Sequence, residues 1–220
     1  MRKITLICSA HRQNGLCNSE ELLKILRELE PEVAFGEWRP SEFDVYYQRG
    51  TLEAHAITKY REFKPFQAVP VDRFDMSDRQ LAKFKRELDF VLDYVAHASQ
   101  EYQILEEEND HNVRQHGFRY LNSADFARRR ARMSEIESGV IGGANNQELL
   151  GVLATWRDFT DRREVGMVNN IYEYCRQNSF VTGVFLLGAA HKTDIVKKIG
   201  RHNGKEPDLI EWSFDYDIGS

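Results

Sequence analysis

The chain has 220 residues, 41% of them hydrophobic and 30% charged, with a formal net charge of -5. That is enough apolar material for one sizeable core, and the acidic balance argues against a general nucleic-acid binder. No run approaches the roughly 20 apolar residues needed to cross a bilayer, and the opening MRKITLICSAH turns polar too early for a secretory leader, so a soluble, cytoplasmic protein with no membrane partner is expected.

In chain order, residues 4–10 form the first short apolar run and read as a strand that ends at His11. The stretch NGLCNSEE follows. There Cys17 precedes a helix whose positive end offers one route to a reactive thiol, against the plainer reading of a structural one. Cys8, Cys17 and Cys175 form no CxxC pair, which fits a reducing compartment. Ser19 reads as a helix N-cap, Leu22, Leu23, Ile25, Leu26 and Leu29 as an apolar stripe, and Pro31 as the stop. Residues 33–36 read as a second strand delivering Glu37, residues 52–63 as a helix, and residues 67–71 as a third strand delivering Asp72 and then Arg73.

A long amphipathic pattern runs from residue 78 to about residue 103, with Leu81, Phe84, Leu88, Val91, Leu92 and Val95 at helical spacing. Further on, the cluster RRRAR at 128–132 reads as a solvated helix face, and ESGVIGGANNQE at 137–148 as a turn or loop. Residues 181–187 form the last predicted strand, which runs through GAAH to His191. The alternation predicts an α/β fold: a mainly parallel central sheet flanked by helices, in a single domain over residues 1–220. The helical middle, approximately residues 78–177, reads as an insertion within it.

Four strands thus each deliver a chemically capable group: His11, Glu37, Asp72 with Arg73, and His191. In a parallel sheet the carboxyl ends share one edge, where open α/β folds bind ligands, and neighbouring strands lie about 4.8 Å apart. Two histidines and a carboxylate suit a divalent ion such as zinc or manganese with an open water position. Without a metal, one imidazole can act as general base with Glu37 orienting it, and a nearby arginine can stabilise an oxyanion. Gly188, Ala189 and Ala190, like Ser9 and Ala10, leave the backbone beside each histidine open to close approach. His55 and His97 read as surface or packing residues, His111 and His116, five apart, as poorly spaced for joint ligation on one helix, and His202 as part of a turn after the last helix with no role. Trp38, Tyr46 and Tyr47 read either as a pocket floor or as packing over the sheet edge.

These residues resemble the TraB/TIKI superfamily, grouped with erythromycin esterase and ChaN-like proteins. GAAH at 188–191 matches the family's second GxxH motif, and CSAH at 8–11 matches the first except that Cys8 replaces glycine. ELEPEVAFGE, VPVDR and DRREVGM resemble the approach to the family's glutamate, its Asp-Arg strand end and its arginine-led helix. The resemblance implies a cleft built from His11, Glu37, Arg73, Arg163 and His191, with Asp72 secondary. It implies hydrolysis of a peptide, ester or lactone carbonyl in a small-molecule or peptide substrate. The expected route is a water activated by a divalent metal (manganese, zinc or cobalt) on His11, Glu37 and His191. The alternatives are a metal-independent esterase with a histidine base, and a ligand-binding or signalling protein that keeps the cleft without turnover.

Overall fold

A computed structural model describes residues 1–43, 50–74 and 76–214. Five strands, β1 (Arg2–Ser9), β2 (Val33–Gly36), β3 (Gln67–Pro70), β4 (Thr182–Gly188) and β5 (Ile210–Ser213), form one sheet in the order β3-β2-β4-β1-β5. All four pairings are parallel. β1 and β4 are buried along most of their length, as helix-covered parallel strands must be, which explains their unbroken apolar runs. The flanking helices are α1 (Ser19–Leu29), α2 (Leu52–Phe63), α3 (Asp78–Ala98), α4 (Gln100–Leu121), α5 (Ala124–Gly143), α6 (Gln147–Gln177) and α7 (Lys192–Asn203). None of the described helices is long and apolar enough to cross a membrane.

β4 lies between β1 and β2, with Ser9 beside Gly188 and Gly36 beside Leu186. The chain segments carrying His11, Glu37 and His191 therefore leave three adjacent strands at one edge. β5 was not among the expected strands; it is four residues long and pairs only with Arg2 to Thr5 of β1. Beyond Thr5 that side of β1 has no strand partner at Cys8 among the described residues, and the Asn122 side chain pairs with it there. Its Oδ1 accepts the Cys8 N–H at 2.9 Å, and its Nδ2 donates to the Cys8 carbonyl at 3.1 Å.

Several element ends differ from the sequence expectation. Asn18, not Ser19, caps α1, because its extended backbone lets one side-chain oxygen accept the N–H groups of both Glu20 and Glu21. The 78–103 pattern breaks at Ser99, which ends α3 and caps α4. The 137–148 segment is mostly helical: α5 runs on to Gly143, held by buried Ile136 and Ile141, and only three residues separate it from α6. Glycine disfavours a helix by only about 1 kcal/mol, which that burial offsets.

The helical insertion has its own core of Val91, Val95, Tyr102, Met133, Ile136, Ile141, Leu149 and Leu153. The end of α4 and the second half of α6 belong instead to the core around the sheet, through Phe118, Leu121, Met167, Val168 and Ile171. At 31 residues, α6 spans about 46 Å and ties the two cores together. The four arginines of RRRAR each face an acid of this layer: Arg128 meets Asp125, Arg129 Glu108, Arg130 Glu137 and Arg132 Glu101. The cluster is a paired helix face.

α4 kinks at Gly117, where φ is +52°, and a Cβ there would sit 2.4 Å from the Leu16 carbonyl oxygen. This contact seats the loop after β1 against α4. Gly117→Ala adds left-handed strain to a backbone clash and is expected to lower the unfolding free energy by about 3 kcal/mol in urea denaturation. An unchanged midpoint and slope would mean that this close approach does not exist.

Candidate active site

His11 lies two residues past β1 with φ at +58°, an unusual backbone for a non-glycine residue. Its N–H donates to Ser9 Oγ at 3.3 Å, and Ser9 Oγ in turn donates to Glu53 Oε1 from α2. The same Glu53 oxygen is 2.8 Å from His11 Nδ1. An ionised carboxylate can only accept, so Nδ1 carries a proton there. The opposite nitrogen, Nε2, then points at Glu37 Oε2, 3.2 Å away.

Glu37 is the centre of the site. Its Oε2 also accepts the Gly188 N–H at 3.0 Å, and its Oε1 accepts Arg163 Nη2 at 2.8 Å. His191 Nε2 approaches Oε1 from the other side at 3.5 Å. His191 Nδ1 lies 2.6 Å from Glu164 Oε1, repeating the backing that Glu53 gives His11. Lys198 Nζ closes the chain at 2.7 Å from Glu164 Oε2. Arg163 is further held by Asp72, with Nε donating to Oδ1 at 3.1 Å and Nη2 to Oδ2 at 2.5 Å.

These charges set one another. The pKa of His11 is depressed by burial, yet its hydrogen bonds to Glu37 and Glu53 and their charges override that and push it up to about 10. For His191 the same opposition, with Glu164 and Glu37 as the partners, ends at about 9. Burial raises Glu37 and Glu53, but the histidines win and hold both carboxyls below the usual range. At Asp72 burial prevails over Arg163, and its pKa rises. Both imidazoles are consequently cationic at neutral pH.

The stability consequence has a definite sign. The raised histidines stabilise the fold fully below their ordinary 6.5, and this is lost as pH rises through about 9 and 10. The lowered carboxyls stabilise above their ordinary 4.5, and this is lost as pH falls below it. The unfolding free energy is therefore expected to peak between pH 4.5 and 6.5. Urea denaturation across pH checks this, and a wild-type alkaline decline no steeper than that of a His11→Ala, His191→Ala double variant would contradict it.

No protein-family model, curated protein or solved structure matches the chain. The TraB/TIKI resemblance therefore stands on the short motifs that suggested it.

The site floors a cavity of about 1140 Å³ between the sheet edge and helices α3 to α6. The His11 side chain is 47% exposed and that of His191 13%, so His11 is the more open of the two imidazoles. Of the expected residues, His11, Glu37, Asp72, Arg163 and His191 are brought together. Arg73 is not: it is exposed and absent from the cavity wall, because consecutive residues of an extended chain face opposite ways and Asp72 takes the inward place. Trp38 is buried, stacks on Phe43 at 5.6 Å and borders the cavity; Tyr46 and Tyr47 lie outside the described residues. Cys17 is buried and its thiol is pushed up to about 11, which removes it as a nucleophile. Among the described residues, no group of three or more His, Cys, Asp or Glu side chains is arranged to hold a metal ion.

Glu53 and Glu164 are the residues of this cluster that the sequence reading missed. Each left a signal, an acid on an otherwise apolar helix stripe. Glu53 sits among Leu52, Ala54, Ala56 and Ile57, and Glu164 is in phase with Met167, Val168, Ile171 and Cys175.

Proposed function

We propose that this protein is a hydrolase that attacks a peptide, ester or lactone carbonyl with water, using His11 for proton transfer and no metal. The observation behind this reading is the shared target of the two histidines. Each is fixed at Nδ1 by a buried carboxylate, and each turns Nε2 toward Glu37 at the floor of a cavity.

In this reading neutral His11 Nε2 takes a proton from water as the water oxygen bonds to the carbonyl carbon. Arg163 stabilises the resulting oxyanion: its Nη1 makes no hydrogen bond among the described residues, while Nε and Nη2 are anchored. The His11 imidazolium then protonates the leaving oxygen or nitrogen as the carbonyl re-forms. Glu53 holds the imidazole throughout by accepting from Nδ1, and Glu37 stabilises the imidazolium once Nε2 is protonated. Because His11 titrates at about 10, kcat/KM is expected to rise about tenfold per pH unit above neutrality and to level near pH 10. A rate that falls over that range would show the imidazolium to be the acting form.

One feature supports a second, metal-dependent reading. A carboxylate behind each Nδ1 is the outer-shell pattern of metal-bound histidine. His11, Glu37 and His191 would hold the ion, which would supply a more acidic bound water. Two facts oppose it. A metal would have to displace a proton from each imidazole against the carboxylates that favour its protonated form, and Arg163 already occupies Glu37 Oε1. Dialysis against a chelator followed by manganese, zinc or cobalt separates the readings. The metal-free reading expects unchanged turnover and thermal midpoint, and restoration of lost activity by one ion would overturn it. Free, buried Cys8, Cys17 and Cys175 support a reducing, cytoplasmic setting.

A further inference from the structure

The carboxylates fix the His11 ring, and the loop that follows His11 fixes the backbone that carries it. In that loop the Asn14 N–H donates to the Cys17 carbonyl at 2.8 Å and the Cys17 N–H to the Asn14 carbonyl at 2.9 Å, closing a tight turn. The turn sits on α4. The Leu16 N–H donates to the Arg114 carbonyl at 2.9 Å, and Gly15, at φ +57°, has no room for a side chain against that carbonyl. Three side chains complete the contact in a closed ring. Asn14 Nδ2 donates to Asp110 Oδ1 at 2.9 Å, Arg114 Nη2 donates to Asp110 Oδ2 at 2.8 Å, and Arg114 Nε donates back to Asn14 Oδ1 at 3.4 Å. The neighbouring Asn109 donates to Met133 Sδ at 3.2 Å, which ties this turn of α4 to α5 within the insertion. His11, Asn14 and Asp110 all line the cavity.

We propose that Asn14, latched by Asp110 and Arg114, is a positioning residue for His11, through which the helical insertion sets the imidazole against Glu37. This rests on the hydrolase reading for what His11 does, but not for how it is placed. With the latch open, the turn can pivot on its backbone contacts, and the half-exposed His11 ring moves with it. The Asp110 and Arg114 side chains are 43% and 59% exposed, so their pairing adds little to folding. Opening the latch therefore costs rate and leaves stability nearly intact.

Two readouts on the full chain test this: kcat and KM for an aryl ester, and the His11 imidazole resonance in isotope-labelled protein. Asn14→Ala and Asp110→Ala are each expected to lower kcat about tenfold, to leave KM within about twofold, and to shift or broaden the His11 resonance. Their thermal midpoints are expected to stay within a few degrees of wild type. Asp110→Asn can still accept from Asn14 Nδ2 and should return kcat to within about threefold of wild type. The Asn14→Ala, Asp110→Ala double variant should be no slower than the single variants, because all three break one latch. An unchanged kcat, a loss confined to KM, or losses that multiply in the double variant would each overturn the proposal. A wild type that turns over no ester would count against the hydrolase reading alone. The His11 resonance then decides, and one left in place by both alanine variants would overturn the latch.

Discussion

Replacing Glu37 by alanine is expected to lower hydrolysis at least about a thousandfold and the unfolding free energy by about 3 kcal/mol. The carboxylate faces three cationic groups and one backbone N–H, and its removal leaves all four without their common acceptor. The stability loss sits at the low end for a broken buried pair. His11 keeps Glu53, His191 keeps Glu164 and Arg163 keeps Asp72. Glu37→Gln separates the two effects. Its single amide oxygen can still accept from Arg163 or Gly188, so most stability should return, whereas the charge that holds both imidazoles does not. Urea denaturation and kcat/KM on an aryl ester read the pair of outcomes. Activity within tenfold of wild type in Glu37→Ala would remove Glu37 from the centre of the site.

Gly188→Ala should do the converse, costing activity with little cost in stability. A Cβ at this position would lie 2.6 Å from His11 Nε2 and 3.2 Å from Glu37 Oε2. The backbone there has φ -59° and ψ 130°, which alanine adopts freely. Something must move, and the half-exposed imidazole moves most easily. Displacement by about 1 Å costs on the order of a hundredfold in rate. The thermal midpoint is expected to shift by no more than a few degrees, corresponding to about 1 kcal/mol or less. A variant with full activity would show that His11 Nε2 does not need its place beside Glu37. A variant that unfolds would show the contact to be structural.

The small residues before His191 illustrate what can be read from sequence. GAAH suggested that the backbone must be approached closely, and the approaching group is the other histidine together with Glu37. His11, Glu37 and His191 were legible because a parallel sheet places every strand's carboxyl end on one edge, a property of the fold class. Their adjacency was not legible, since it depends on β4, which comes far along the chain, inserting between β1 and β2. Arg163 entered through the family resemblance. Glu53 and Glu164 escaped because a helix residue's role depends on which side its helix turns to the sheet. Glu53 lies in the first turn of α2, where an acid also complements the helix dipole and so is not distinctive by itself. Arg73 was mistaken for the inward group because strand-end side chains alternate, and a one-residue offset exchanges inside for outside. β5 escaped because four residues of an edge strand leave too short a pattern.

The central claim is that His11, held between Glu53 and Glu37, moves the proton in a metal-free hydrolysis. The most direct measurement is turnover of a panel of aryl esters, lactones and peptides by chelator-treated wild type and His11→Ala at pH 9. The account predicts turnover of at least one substrate by wild type, unaffected by the chelator, and a loss of about a hundredfold or more in a His11→Ala protein that remains folded. Equal rates for the two proteins, or a wild type silent on the whole panel, would contradict it.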